Sequence, residues 1–215
     1  MQVGTVDPRT TALLVVDAQN DFLAEDARLP IPAGRKVLPE LKLTIEFCRS
    51  VGIKVIYTVH AHRPDGSDMG RMGVVYPVIK NREALVEGTK GVEVHPTIAP
   101  APNEIVIHKH RHSAFFATDL DLILRNSGIE TLVITGFSST GCCHVTAREA
   151  LFNDYKVVFL SDCTATSNFP DLGYGALTAH QAHRWSLVVL AVSSAHVMTG
   201  TAFRSKVATH RARRR

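Results

Sequence analysis

Short apolar runs separated by helical stretches constrain the fold of this chain more than any other feature. The first run, TALLVV, ends at Asp17 and is typical of a strand buried on both faces of a parallel sheet. The pattern recurs along the chain, and a shorter run follows near the end. We therefore expect six strands, at residues 11–16, 53–59, 104–108, 131–135, 156–160 and 196–198.

Helical stretches fall between these runs, at residues 37–51, 119–126, 142–153 and about 175–192. The alternation predicts an α/β fold with a doubly wound, Rossmann-like and mostly parallel sheet of about six strands, flanked by helices and joined by right-handed crossovers. No repeat or linker interrupts the 215 residues, so we expect one domain over residues 1–215. Residues 61–102 are too long for an ordinary βα loop and are predicted to be a lid or binding loop.

The net charge of +4 is concentrated at one end of the chain. Six cations and no acids occur in the last dozen residues, at Arg204, Lys206, Arg211, Arg213, Arg214 and Arg215. The rest of the chain is slightly acidic. We therefore expect a solvated basic tail over about residues 204–215, and no nucleic-acid partner, because a basic binding face would spread its cations over the fold.

The four cysteines, Cys48, Cys142, Cys143 and Cys163, have no CxxC spacing, and no secretory leader or membrane-length apolar run is present. This usage predicts a reducing, cytoplasmic setting without a membrane partner. It does not indicate a disulfide framework or a zinc cluster.

Three reactive residues follow predicted strands. Asp17 closes the first strand, Lys109 follows the third, and Cys142 lies just after the fourth, where the next helix begins. Each has an ordinary structural explanation, as a turn former, a solvated cation or a buried thiol. Ligands of open α/β sheets, however, bind at the carboxyl ends of the strands. We therefore expect all three to meet in one cleft, with the Asp17 and Lys109 side chains in direct or one-water contact.

Together these side chains suit nucleophilic catalysis. A carboxylate can take the thiol proton, an ammonium can stabilise the thiolate, and a helix N-terminus lowers the pKa of a thiol. Cys143 is the competing nucleophile. It shares a helical stripe with Ala147, Ala150 and Leu151, so we expect Cys143 in the core and Cys142 at the helix mouth.

Longer motifs around these residues resemble a known family. The stretches LLVVDAQNDF, VIYTVHAHRPDGSDMGR, KHRHSAFFATDLDLILR and ITGFSSTGCCHVTAREALFNDYKVVFLSD are similar to the signature regions of the isochorismatase-like cysteine hydrolases, over about residues 11–162. The resemblance is to amidohydrolase members of the nicotinamidase, N-carbamoylsarcosine amidase and ureidoacrylate amidohydrolase types. It implies catalytic roles for Asp17, Lys109 and Cys142, and commonly a homo-oligomer.

The resemblance also implies a cis peptide bond between Phe137 and Ser138, and an oxyanion hole formed by the backbone N–H groups of Ser138 and Cys142. Because small-molecule pockets are mainly apolar with a few directing polar groups, we expect Phe22, His112 and Phe115 to bind substrate. The run from Ser139 to Cys143 and the histidine at position 112 depart from the family pattern, which leaves the identity of the substrate open.

Metal binding is the main cofactor question, since there are eleven histidines. Nicotinamidase-like members use an Asp-x-His pair after the second strand, and this chain has His60 and His62 there, without a further histidine before His95. We therefore expect no metal or other cofactor. His60 and His62 are predicted to be pocket-rim or hydrogen-bonding residues.

The predicted function is hydrolysis of the C–N bond in a small carboxamide or a carbamoyl (ureido) compound, through a thioester on Cys142. The alternative on the same scaffold is isochorismate-type vinyl ether hydrolysis, which depends on the Asp and does not need the thiol. A third hypothesis is a non-catalytic binding protein that retains the fold. The presence of Cys142 favours the amide.

Overall fold

The core of the molecule is a six-stranded sheet in the order β3-β2-β1-β4-β5-β6, and every neighbouring pair is parallel. The computed structural model describes residues 2–213, with side chains through residue 207. The doubly wound sheet predicted from the sequence is confirmed. Its strands are β1 Thr11–Val16, β2 Lys54–His60, β3 Ile105–Lys109, β4 Thr131–Phe137, β5 Lys156–Ala165 and β6 His196–Met198.

Helices cover both faces of the sheet. They are α1 Asn20–Leu23, α2 Pro32–Val51, α3 Met72–Val75, α4 Pro77–Lys80, α5 Leu120–Asn126, α6 Cys142–Phe152, α7 Ala179–Ser193 and α8 Gly200–Arg213, with 3-10 turns at Pro8–Thr10 and Pro96–Ile98. The buried residues of α2 and α8 belong to one hydrophobic cluster, and those of α5, α6 and α7 belong to another. None of the described helices has the length and apolar character needed to span a bilayer.

Alternate residues of β1 belong to these two clusters. Leu13 and Val15 pack with α2, whereas Leu14 and Val16 pack with α5 and α6. Successive side chains of a strand point to opposite faces, so a strand covered on both sides needs an apolar residue at nearly every position. This explains the uninterrupted apolar run that the sequence presents.

The C-terminal segment differs from the expected solvated tail. Helix α8 buries Phe203 and Val207, and the Phe203 ring lies edge-on to Phe47 at a centroid distance of 6.5 Å. Arg204 is ion-paired with Glu40 at 2.6 Å. The prediction is therefore wrong for residues 204–207, because two apolar residues one turn apart dock the helix against α2. The side chains of residues 208–215 lie outside the described residues.

Strands β1 and β4 are neighbours although β2 and β3 come between them in the chain. Connections from these two strands leave in opposite directions, which opens a crevice beyond their carboxyl ends. Gly136 allows the close approach: it has a φ of 102°, and a Cβ there would clash with the backbone of Val16. The residues that follow β1 and β4 therefore face one another.

The long segment at residues 61–102 is folded around its own small core. The short helices α3 and α4 surround a cluster formed by Met69, Ile79, Ala84 and Leu85. Two backbone contacts hold the far part of the segment against its own start, two residues after β2: the N–H of His62 donates to the Leu85 carbonyl at 2.7 Å, and the N–H of Glu87 donates to the His62 carbonyl at 2.9 Å. The segment thus forms a wall beside the sheet edge.

Candidate active site

Asp17 lies directly after β1 and is fully buried. Its backbone φ of 47° lies in the left-handed region, which Asp adopts more readily than most residues. The hydroxyl of Thr58, on the neighbouring strand β2, donates to Oδ1 at 2.6 Å. Pairing between β1 and β2 therefore orients the carboxylate, while Oδ2 has no hydrogen-bond partner of good geometry among the described residues.

Lys109 ends β3, with β2 lying between it and β1. Its Nζ lies 2.7 Å from Oδ2 of Asp17 and donates to the Arg111 carbonyl at 2.8 Å. Burial acts to lower the pKa of Lys109, but the interaction with the Asp17 carboxylate, and to a smaller extent that with Cys142, outweighs burial and holds the pKa above its ordinary value. The side chain is therefore an ammonium, and the expected direct contact with Asp17 is confirmed.

Cys142 is the first residue of α6 and is buried at the bottom of a cavity. Its Sγ, a ring nitrogen of His60 and a carboxylate oxygen of Asp17 all lie within 4.8 Å of one another, and Nδ1 of His112 lies 3.4 Å from Sγ. Burial raises the pKa of the thiol to about 12, against the lowering effect of Lys109. The sequence argument for a depressed pKa is therefore wrong, because desolvation, aided by the Asp17 carboxylate, outweighs the Lys109 charge.

The loop between β4 and α6 presents two backbone N–H groups beside the thiol. The Phe137–Ser138 peptide bond is cis, as the family resemblance implied. The N–H groups of Ser138 and Cys142 donate no hydrogen bond to any described residue. By contrast, the N–H of Ser139 donates to the Ala165 carbonyl, and that of Cys143 donates to the Ser138 carbonyl. Two free donors at a helix start are what an oxyanion requires.

Side chains of helix α7 hydrogen-bond to this loop. The Ser186 hydroxyl donates to the Ser139 carbonyl at 2.6 Å, and the Ser139 hydroxyl lies 2.8 Å from Nδ1 of His183. The other ring nitrogen of His183 lies 3.0 Å from the Ser161 carbonyl and donates to it, so Nδ1 accepts from Ser139. These buried bonds tie the loop to two neighbouring elements and restrict its movement.

Cys143 points away from the cavity. It is fully buried, and its Sγ contacts the Thr135 carbonyl at 3.7 Å. Burial raises its pKa well above the usual value. Ala147 and Ala150 are also fully buried, so the apolar stripe predicted for this helix is confirmed.

The cavity has a volume of about 470 Å³, in the range of small-molecule sites. Phe22 and His112 line it, as expected. Phe115 does not: its ring stacks on Tyr155 at a centroid distance of 6.0 Å, within the core under α5 and α6. The predicted substrate contact for Phe115 is therefore wrong, because an apolar ring close in sequence to the site is buried more completely in the core.

Much of the cavity wall was not predicted residue by residue. Residues 28–31, the segment at residues 61–102 and the loop after β5 all contribute to it, through Arg28, Leu29, Pro30, Ile31, Met72, Tyr76, Ile79, Leu85, Thr166, Ser167 and Phe169. The unusual length of residues 61–102 was the available signal. Which side chains face inward depends on the short helices of that segment.

Three groups of described side chains have the composition of a metal site. In one of them, Glu40 with Asp162 and Cys163, the Glu40 carboxylate is already paired with Arg204 at 2.6 Å. The two others lie beyond the carboxyl ends of the strands.

In one of these two groups, His62, Asp68 and His110 place ligand atoms within 4.8 Å of one another. However, Nδ1 of His110 lies 2.6 Å from the Ala61 carbonyl and 3.1 Å from Asp68, so this nitrogen carries a proton and donates. His62 likewise contacts Asp68 through Nδ1 at 3.2 Å. This arrangement is a hydrogen-bond network and does not fit a bound ion.

The other group is Asp17, His60 and Cys142. The Lys109 ammonium already lies 2.7 Å from the carboxylate, and a second cation there would meet strong repulsion. His60 lines the cavity, whereas His62 is buried against Asp68. This group therefore does not fit a bound metal ion.

Comparison with known proteins identifies the family. The Isochorismatase domain matches residues 11–202. A probable inactive nicotinamidase of Arabidopsis thaliana is 33% identical over 187 residues, covering 83% of this chain and 95% of that protein. The ureidoacrylate amidohydrolase RutB of Caulobacter segnis is 32% identical over 176 residues, covering 74% of each chain.

A solved structure agrees with the fold described above. The cysteine hydrolase from Pseudomonas syringae pv. phaseolicola 1448A has a TM-score of 0.92 to this chain, with 31% identity over 95% of each chain. The resemblance drawn from the motifs is confirmed by both kinds of comparison. This chain belongs to the isochorismatase family of hydrolases.

Proposed function

We propose that this chain is a cysteine-dependent amidohydrolase that cleaves the C–N bond of a small carboxamide or ureido compound. One observation carries the proposal. A thiol, Cys142, lines a cavity and lies within 4.8 Å of the Asp17 carboxylate, and that carboxylate is paired with the Lys109 ammonium at 2.7 Å.

In the first half of the reaction, Oδ2 of Asp17 accepts the Sγ proton while the sulfur attacks the substrate carbonyl carbon. The thiol is neutral at rest because its pKa is raised, so proton transfer has to accompany attack. The backbone N–H groups of Ser138 and Cys142 receive the oxyanion. Asp17 then protonates the leaving nitrogen, the C–N bond breaks, and an acyl thioester remains on Cys142.

In the second half, Asp17 removes a proton from water, which attacks the thioester carbonyl. The C–S bond breaks, the sulfur regains its proton from Asp17, and a carboxylic or carbamic acid leaves. Lys109 stabilises negative charge on the carboxylate and on the sulfur in turn. The protons move between substrate, water, Cys142 and Asp17, and no redox partner is needed because no group is oxidised or reduced.

The thiol and the relatives favour amides over the alternatives. Vinyl ether hydrolysis needs protonation by the Asp but gives no role to Cys142. RutB is named as an amidohydrolase, and the Pseudomonas relative is named as a cysteine hydrolase. The Arabidopsis relative is named as probably inactive, so a non-catalytic binding protein is the alternative that an activity test has to exclude.

The test is a screen for ammonia release with primary carboxamides, ureido acids and biuret-like compounds, with isochorismate as the opposing class. We expect turnover of at least one amide, and an acyl adduct on the peptide containing Cys142 when the reaction is quenched and analysed by mass spectrometry. Hydrolysis of isochorismate alone, or retained turnover in Cys142→Ala, would overturn the proposal.

We also propose a single domain over residues 1–215, a cytoplasmic location and a homo-oligomer. The family resemblance supports assembly, as does the exposure of Trp185, Val188 and Val192 on the outer face of α7. Light scattering coupled to size exclusion is the measurement. A monomer at micromolar concentration would contradict this expectation.

A further inference from the structure

His60 has a polar atom that the described residues leave without a partner. It is the last residue of β2, its side chain is only 2% exposed, and it lines the cavity. Its Nε2 makes no hydrogen bond to any described residue. Buried polar atoms are nearly always paired, so an orphaned nitrogen facing a cavity indicates a ligand that supplies the partner.

The bonds of the ring determine which kind of partner fits. The backbone of His110 favours a proton on the His60 ring, and because Nε2 has no partner, Nδ1 is the nitrogen that faces this backbone and carries the proton. Nε2 then carries a lone pair. Burial and the nearby Lys109 charge lower the pKa of His60 well below its usual value, so the ring stays neutral and Nε2 remains an acceptor.

The surroundings of this acceptor place it next to the reacting bond. A ring nitrogen of His60 lies within 4.8 Å of both the Cys142 sulfur and the Asp17 carboxylate. Neither of those groups nor the Lys109 ammonium pairs with Nε2. The ring centroid of His112 lies 6.3 Å from the ring centroid of His60. A substrate carbonyl attacked by Sγ would bring its leaving group into this space.

Building on the proposed function, we propose that His60 is a specificity-determining residue whose Nε2 accepts a hydrogen bond from the N–H of the scissile amide. The substrate class is then narrower than amides in general. It comprises carboxamides and ureido compounds whose leaving nitrogen bears a hydrogen, and it disfavours oxygen esters and N,N-disubstituted amides.

This contact has a mechanistic consequence. Holding one N–H against His60 turns the leaving nitrogen so that its developing lone pair faces Asp17, which supplies the proton that nitrogen needs. A substrate without the N–H would leave Nε2 buried and unpaired, and sites built to bind a donor reject analogues that lack it.

The experiment compares benzamide with methyl benzoate, which share an acyl group but differ in the N–H. We expect His60→Leu to lower kcat/KM for benzamide by roughly 10- to 100-fold and to change that for methyl benzoate by less than about threefold. His60→Gln, whose amide oxygen can reach the Nε2 position, should recover most of the benzamide rate. Equal losses on both substrates, or no loss, would overturn the inference.

A binding measurement by NMR tests the same contact with His60 in place, so it applies even if the His60 variants fold poorly. In the Cys142→Ser protein labelled with ¹⁵N-histidine, saturating benzamide should shift the unprotonated Nε2 resonance of His60, and methyl benzoate should not. An unmoved resonance would overturn the role of His60 even if amides are hydrolysed. If the unmodified protein hydrolyses no amide in the screen, the proposed function fails. The shift of this resonance then tests by itself whether His60 binds the amide N–H.

Discussion

The floor and the wall of the cavity are built in different ways. The floor consists of Cys142, at the start of α6, with Asp17 and Lys109 behind it at the carboxyl ends of β1 and β3, where a polar contact of 2.7 Å joins them. The wall at residues 72–85 consists of apolar side chains on two short helices, packed around a small cluster of their own.

We expect this difference to separate the residues that carry out the reaction from the residues that select the substrate. Strand register and two-sided packing restrain the floor, so under the proposed mechanism we expect a change there to alter proton transfer and nucleophilic attack. The wall rests on fewer contacts, so a change there alters the shape of the cavity while the reacting groups stay in place. The following predictions test that separation, from the largest expected effect to the smallest.

Removing a reacting group of the floor should have the largest effect. We expect Cys142→Ala and Asp17→Asn each to lower kcat by roughly 10³-fold or more, because each removes a group that bonds to or exchanges protons with the substrate. Steady-state ammonia release is the measurement, with circular dichroism as the check on folding. Near-normal turnover in either variant would mean that the floor does not perform the chemistry.

The raised pKa of Cys142 predicts the pH dependence of its alkylation. With a pKa of about 12, the thiolate fraction of the free protein should rise tenfold per pH unit, so the rate with iodoacetamide should increase roughly 100-fold between pH 7 and pH 9. Peptide mass spectrometry should place the adduct on Cys142. A plateau near neutral pH would contradict the dominance of desolvation.

Lys109→Met keeps much of the side-chain length but removes the charge. Because Lys109 lowers the pKa of Cys142, the pKa should rise further and alkylation at pH 8 should slow by about tenfold. The buried carboxylate also loses its partner, which should destabilise the fold by about 3–5 kcal/mol.

The double variant Lys109→Met with Asp17→Asn is the control for that change. It removes both charges, so it should recover most of the lost free energy of unfolding in urea. Equal stability of the single and double variants would argue against a coupled buried pair.

In the wall, Tyr76→Ala should enlarge the cavity while Asp17, Lys109 and Cys142 stay in place, because, among the described residues, Tyr76 reaches the thiol only through a 3.5 Å contact with His112. We expect kcat for a small amide to stay within about threefold, and kcat/KM for amides with a bulkier acyl group to rise by up to about tenfold. Val74→Ala is the matched control, because Val74 belongs to the adjoining short helix but is 70% exposed. A loss of kcat on every substrate would mean that the wall positions the reacting groups.

The smallest effect is expected for Cys143→Ala, beside the floor but facing the core. Loss of a small buried group should lower the free energy of unfolding by about 1 kcal/mol, with kcat within about twofold of the original. An iodoacetamide adduct on Cys143 in the original protein would contradict this assignment.

The strand positions and three floor residues could be predicted because each depends on local sequence. A strand buried on both faces needs a continuous apolar run, and the residues after such runs lie at the carboxyl edge whatever the helices do. The ends of the helices were predicted less accurately than the strands. Helix α7 begins at Ala179 because Thr178 and Gln181 form a capping box, a signal that the expectation of a start near residue 175 overlooked.

Tertiary structure alone decided how deeply each group is buried and what it touches. The same local sequence that puts Cys142 at a helix N-terminus predicts a lowered pKa, yet burial beside Asp17 raises it. Phe115 lies close in sequence to the site but packs on Tyr155. Phe203 and Val207 pack in the same hydrophobic cluster as the buried side of α2, although the segment that carries them is basic. Desolvation and packing depend on residues distant in the chain, so no local pattern could determine them.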